Sequence, residues 1–150
     1  MQDTIEKCLL ENYGKYYRIA YSYAGNEADA MDIVQEAAYK AIKNSQKLKF
    51  REFADTWICR IVINEAKSLV RSRKDTEDID DQQIAVDAVY ENLDLREAMA
   101  KLTMTDRIMI ELHYFERMPL KSVAEAMDMN VNTVKSRMYR SLKQLRLELD

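Results

Sequence analysis

The sequence predicts an all-α protein: two small helical domains joined by an acidic flexible linker, the C-terminal one a helix-turn-helix. Three observations carry that expectation. The 150 residues include only 2 glycines and 1 proline, while Leu, Met, Ala, Ile, Glu and Lys abound, a composition of helix formers. Residues 75–91, DTEDIDDQQIAVDAVYE, interrupt the helical periodicity with seven acids and no base. Finally, although the net charge is −3, residues 131–146 hold five bases and no acid.

Taken in order, the first predicted helix spans about 4–24 and stops at Gly25, whose tolerance of a left-handed backbone suits a helix end. Asn26 is placed to cap the second, about 27–44, with Asp29 at its third position. A third runs from about 50 to 72, with Phe50, Phe53, Trp57, Ile58, Ile61 and Val62 on one face. These three can bury a shared core, which defines a first domain over 1–74. After the linker at 75–91, a second domain over 92–150 holds helices at about 92–102, 105–116, 119–127 and 131–149. Pro119 suits the first turn of the third of these, where a missing N–H costs nothing.

Several function classes are excluded. Cys8 and Cys59 stand 51 positions apart and are expected as free thiols, and His113 is the only histidine. Zinc sites and histidine-based triads therefore have little to work with, and the isolated Gly14 and Gly25 make no phosphate loop. No catalysis, metal or cofactor is expected. No apolar run approaches a membrane span and the N-terminus has no signal-peptide design, so a cytoplasmic location is expected.

Two basic faces point instead to nucleic acid. In the last helix, steps of about 100° per residue place Val131, Val134, Met138, Leu142 and Leu145 on one narrow stripe. Asn132, Thr133, Lys135, Ser136, Arg137, Tyr139, Arg140, Lys143 and Arg146 take the broad remaining arc. A solvated surface would mix charge signs; a uniformly basic one suits phosphate. A short helix, a three-residue turn and a longer second helix have the form of a helix-turn-helix, although a plain helical hairpin shares it. Asn130 would cap the second helix, whose N-terminal residues would meet base edges in the major groove. On the helix at 50–72, Arg60, Lys67, Arg71 and Lys74 cluster beside Asn64, and Glu65 points elsewhere. That edge is either solvated or suited to single-stranded DNA, where aromatics can stack on bases, although Trp57 beside it is expected in the core and not as a stacking platform.

These residues resemble a known family along the chain from about 12 to 147. DIVQEAAYKAI (32–42), FADTWICRIVINEAKSLVRSRK (53–74) and LTMTDRIMIELHYFERMPLKSVAEAMDMNVNTVKSRMYRSLKQLR (102–146) are similar, in order, to segments of bacterial RNA polymerase sigma factors of the extracytoplasmic function (ECF) group of the sigma-70 family. TVKSR followed by an aromatic residue and Arg140 is the most specific of these likenesses. Asp128 departs from the family, which often has Gly at that turn position; Asp tolerates the left-handed conformation the turn needs. Ala38 and Ile42 replace larger aromatics, and TMTD stands at a helix start where PPRQ-like residues are usual.

The resemblance implies that the chain binds core RNA polymerase and directs transcription initiation at promoter DNA. It assigns polymerase binding to Asp32, Gln35 and Glu36, and the −10 element to Asn64, Lys67, Ser68 and Arg71. It assigns the −35 element to Asn132, Thr133, Lys135, Ser136, Arg137, Tyr139 and Arg140. A membrane-anchored anti-sigma factor is a further partner of many family members. In the family the linker threads toward the polymerase's nucleic-acid channel, so the acidic stretch is either a nucleic-acid mimic or a solvated spacer. Two rival functions share the basic faces: a stand-alone helix-turn-helix regulator with an N-terminal sensing or dimerisation module, and a helical adaptor for acidic proteins.

Overall fold

The structure, a computed structural model, describes residues 1–73 and 90–149; the predicted linker, apart from Tyr90 and Glu91, lies outside the described residues. Helices account for the described secondary structure. They are α1 (Gln2–Glu11), α2 (Tyr13–Ala24), α3 (Glu27–Lys43), α4 (Ala54–Arg73), α5 (Leu93–Ala100), α6 (Met104–Ile110), α7 (Leu120–Ala126) and α8 (Val131–Leu149). Short 3₁₀ turns occupy Ser45–Lys47 and Arg51–Phe53, and a π-helical turn, Glu111–Phe115, continues α6.

The single helix expected over 4–24 is two. Asn12 leaves helical geometry (φ −116°, ψ 18°), and the Cys8 carbonyl accepts both its backbone N–H at 3.0 Å and its side-chain amide at 3.1 Å, which closes α1. Gly25 ends α2 at φ 79°, and the Asn26 side chain caps α3 by accepting from the Asp29 N–H at 2.9 Å. Helices α2, α3 and α4 then close on Tyr16, Ile19, Tyr23, Ile33, Val34, Ile58, Val62 and Ile63, all buried. The face expected on the third helix is only partly inside. Ile58 and Val62 are buried and Trp57 and Ile61 half-buried, but Phe50 and Phe53 are exposed. The chain is 3₁₀ through 51–53 and enters α4 only at Ala54, so the α-helical phase does not extend back to the two phenylalanines.

In the second half, Met99, Met104, Ile108, Met109, Leu112, Val123 and Val134 form the buried centre between α5, α6, α7 and α8. Thr103 caps α6 by accepting from the Asp106 N–H at 3.2 Å. Pro119 is the N-cap of α7 and not part of its first turn, so its missing N–H falls one residue before the helix. The π turn is followed by Arg117 at φ 60°, and the Met118 N–H returns to the Leu112 carbonyl at 3.0 Å.

The two halves are packed together. Helix α2 meets α6, and α4 meets α7. The Arg18 guanidinium donates to both oxygens of Glu116 at 2.8 Å, and Ser22 Oγ donates to Glu111 Oε1 at 2.5 Å. Arg107, buried, donates to the Ser22 carbonyl, and Tyr90 OH donates to the other Glu111 oxygen.

Candidate nucleic-acid interface

The turn between α7 and α8 is built by two side chains. Asp128 adopts φ 55°, the left-handed conformation expected of it, and Asn130 Oδ1 accepts from the Asn132 N–H at 2.8 Å to start α8. Helix α8 then buries Val134, Met138 and Leu145 and half-buries Val131 and Leu142, the stripe that the spacing predicts. Ser141 is buried with this stripe.

Seating that stripe turns Asn132, Thr133, Lys135, Ser136, Tyr139 and Arg140 to solvent. Tyr139 is 71% exposed, an aromatic ring with no role in the core. Asn132, Thr133, Ser136 and Arg140 line a shallow concavity of about 720 Å³ whose other wall carries Thr103 and Asp106. Arg137 is placed differently from the others. Its Nε donates to Asp106 Oδ1 at 2.8 Å, with both side chains 19% exposed, so it ties α8 to the start of α6. The pair also neutralises a carboxylate that would otherwise confront an approaching phosphate. Charge counting along α8 cannot separate Arg137 from Arg140, because the partner lies 31 positions earlier.

A second face lies on α4. Asn64, Ser68 and Arg71 are exposed along it and Lys67 is half-buried. Glu65, the one acid in this run, is held by Lys40 of α3, so the face stays basic. Arg60 reaches Asp128 of the α7–α8 turn at 3.1 Å. Beside it, Leu48, Phe53, Thr56 and Trp57 line a groove that Glu125 of α7 completes. Phe53 of this groove forms an exposed edge-to-face pair with Phe50, with centroids 6.0 Å apart. Sequence reasoning missed them as surface residues by assigning them to the core. Two aromatics just ahead of a basic helix were the available signal.

A third edge belongs to α3, where Asp32, Gln35 and Glu36 are all exposed. Met31 and Tyr39 flank Gln35 at helical spacing and are 44% and 60% exposed, an apolar addition that the sequence reading did not single out. The edge is held against α4 by Arg73, which pairs with Asp29 and donates to the Ala24 carbonyl at 2.9 Å. The Asn26 side-chain amide, donating to Asp29 Oδ2 at 3.0 Å, and then Arg73 hold the Asp29 carboxyl below its ordinary range. Cys8 and Cys59 are free thiols, as expected, and burial raises both. His113 turns Nδ1 to the Met118 carbonyl at 2.7 Å, a structural contact.

Comparison with known proteins gives the family of the chain. The family described as Sigma-70 region 2 matches residues 9–76, and Sigma-70, region 4 matches residues 92–145. The chain belongs to the sigma-70 family, as an ECF sigma factor that directs promoter-specific transcription. Among its relatives, RNA polymerase sigma factor SigV of Bacillus subtilis (strain 168) is 34% identical over 147 residues, covering 95% of this chain and 89% of that protein. ECF RNA polymerase sigma factor SigW of the same organism is 28% identical, covering 90% and 83%. The fold is shared with the sigma factor RpoE from Bartonella quintana, solved in complex with the anti-sigma factor NepR. The TM-score is 0.76 at 22% identity, over 99% of this chain and 98% of that one.

Proposed function

We propose that the three faces divide the work of promoter recognition. The α3 edge of Asp32, Gln35 and Glu36, extended by Met31 and Tyr39, binds core RNA polymerase. Its mixture of acid and exposed apolar surface suits a protein partner better than DNA. The α4 face of Asn64, Lys67, Ser68 and Arg71 takes the −10 strand, with Phe50 and Phe53 offering rings on which an unpaired base can stack. The α8 face of Asn132, Thr133, Lys135, Ser136, Tyr139 and Arg140 reads the −35 duplex, and Arg137 holds that helix in place.

The observation that carries this reading is a helix-turn-helix with an acid-free outer face beside a second basic helix flanked by exposed aromatics. In this account the chain supplies binding and positioning in the cytoplasm and leaves the chemistry to the polymerase. An anti-sigma factor is a further partner, supported by the shared fold of the Bartonella complex. A stand-alone regulator is not favoured, because residues 9–76 match a sigma region and not a sensing module. The test is promoter binding with and without core polymerase at one stated salt concentration. Tight, specific binding by the chain alone would contradict the division of labour.

A further inference from the structure

The α3 edge and the α4 face, which the proposed function gives to different partners, share a wall. Asp32, Glu36, Glu65 and Ser68 line one cleft of about 370 Å³ between the two helices. Glu65 of this cleft is paired with Lys40 of α3. Lys40 also stands one turn beyond Glu36, and both acids act on it. Its hydrogen bond to Glu65, then the charges of Glu65 and Glu36, hold the ammonium above its ordinary value against the pull of burial. One cation is thus divided between an acid of the polymerase edge and an acid of the DNA side.

Glu65 is out of place on a helix that takes DNA. Helical steps of about 100° set it about 60° from Ser68 and about 100° from Asn64 around α4. A bare carboxylate there would repel the phosphates of a strand lying along Asn64, Ser68 and Arg71. Paired with Lys40, its side chain is only 18% exposed. The pair is not needed to join the helices. Ile33, Val34 and Ala37 of α3 and Val62, Ile63 and Ala66 of α4 are buried in the apolar core that does so. Lys40 is 46% exposed, and an ion pair so open to water adds little to stability.

We infer that Lys40 is a positioning residue for the −10 strand and the electrostatic link between the two faces: it draws the Glu65 carboxylate out of the strand's way, and its division between Glu36 and Glu65 makes strand affinity rise when a cation of the polymerase takes Glu36. Once Glu36 is neutralised from outside, the whole Lys40 charge is left to Glu65 and the strand. By linkage, a bound strand then strengthens the hold on the polymerase by the same factor. The inference rests on the proposed roles of the α3 edge and the α4 face. A solvent-screened charge of this kind changes affinity by about two- to fivefold.

The experiment uses the full chain, alone and as holoenzyme with core polymerase, and reads the fluorescence anisotropy of a labelled single-stranded oligonucleotide carrying the −10 sequence of a mapped promoter. Lys40→Met should lower affinity by about two- to fivefold at low salt and by less at high salt, while Lys40→Arg keeps it. Adding Glu65→Gln to Lys40→Met should restore it. A brace between helices would not behave so, because the double variant has no ion pair at all. Glu36→Gln, which imitates a polymerase cation, should raise the affinity of the chain alone by about twofold and change nothing in the holoenzyme. Glu27→Gln removes the same charge at the start of α3 and should have no effect in either state. Circular dichroism verifies that each variant folds.

A loss in Lys40→Met that Glu65→Gln does not restore would mean that Lys40 touches the strand or the polymerase itself, and would overturn the inference. So would a Glu36→Gln effect that is absent in the chain alone or equal in both states. Arg71→Ala separates this failure from that of the underlying reading. If Arg71→Ala weakens strand binding and Lys40→Met does not, the inference alone falls. If neither does, the proposed role of α4 falls and takes the inference with it.

Discussion

Replacing Arg137 with alanine distinguishes this structure from a simple reading of charge. Every base on α8 is a candidate DNA contact by sequence, but Arg137 Nε lies 2.8 Å from Asp106 Oδ1 and both side chains are 19% exposed. Its loss strips a partly buried carboxylate of its cation at the start of α6. A hydrogen bond to a charged group contributes about 1.5–3 kcal/mol. The pair is not sealed from water, so about 1–2 kcal/mol is the better expectation. For a cooperative unit of this size that corresponds to a fall in Tm of about 2–8 °C. The assay is thermal unfolding of Arg137→Ala, Asp106→Ala and the double variant. The double variant should be little worse than either single one, because each removes the same interaction. Holoenzymes carrying Arg137→Ala should keep their base preferences at every −35 position. Unchanged Tm together with relaxed preference at one base pair would refute the reasoning and return Arg137 to the reading face.

Further outcomes follow from the other faces. Arg140→Ala, on the exposed arc with Thr133 and Ser136, should cost about 1–3 kcal/mol and relax one −35 position. Lys143→Ala, one turn further along, should weaken all sequences alike and lower the salt slope by about one unit, both measured on a panel of single-base variants at several salt concentrations. Joint replacement of Asp32 and Gln35 by alanine should weaken core polymerase binding while the circular dichroism spectrum stays unchanged, since both are exposed; undiminished affinity would move the polymerase contact elsewhere. Burial raises the Glu111 carboxyl above its ordinary value of 4.5, against the opposing pull of Arg107 and of hydrogen bonds from Ser22 and Tyr90, with Glu116 adding to the rise. The folded chain therefore holds this proton more tightly than the unfolded chain does. The stability this site contributes is fully present below the ordinary value and is lost as pH rises through the raised one, so the difference in Tm between wild type and Glu111→Gln should shift in favour of Glu111→Gln between about pH 5 and about pH 8. A difference that moves in favour of wild type at the higher pH would reverse the sign and contradict this burial.

Much of the fold is legible because its punctuation is local chemistry. Gly25, Asn26, Asp128 and Asn130 each act on backbone groups within four residues, and the structure places each as the sequence predicts. Asn12 is equally local, but its side chain adds a bond to a Cys8 carbonyl that the helical N–H also uses, so the apolar spacing runs past the break without registering it. Phe50 and Phe53 were misplaced because a helical wheel assumes one phase, and the 3₁₀ turn before Ala54 breaks it. The π turn at Glu111–Phe115 likewise inserts a residue that no 3.6-residue pattern encodes. Arg137 and Asp106, and Arg18 and Glu116, pair across 31 and 98 positions, separations that composition and spacing do not register. The exposed face of α8 was legible in outline because burying one stripe fixes its complement. The turning of Arg137 from that face toward Asp106 was not.

The central claim is that this chain gives core RNA polymerase a promoter preference through α4 and α8. Run-off transcription with core polymerase, with start sites mapped across genomic templates, tests it most directly. The account predicts start sites sharing one −35 and one −10 sequence, with transcription that depends on added chain and collapses with Arg140→Ala or Asn64→Ala. Initiation that ignores the chain, or chain-dependent start sites with no common elements, would contradict it.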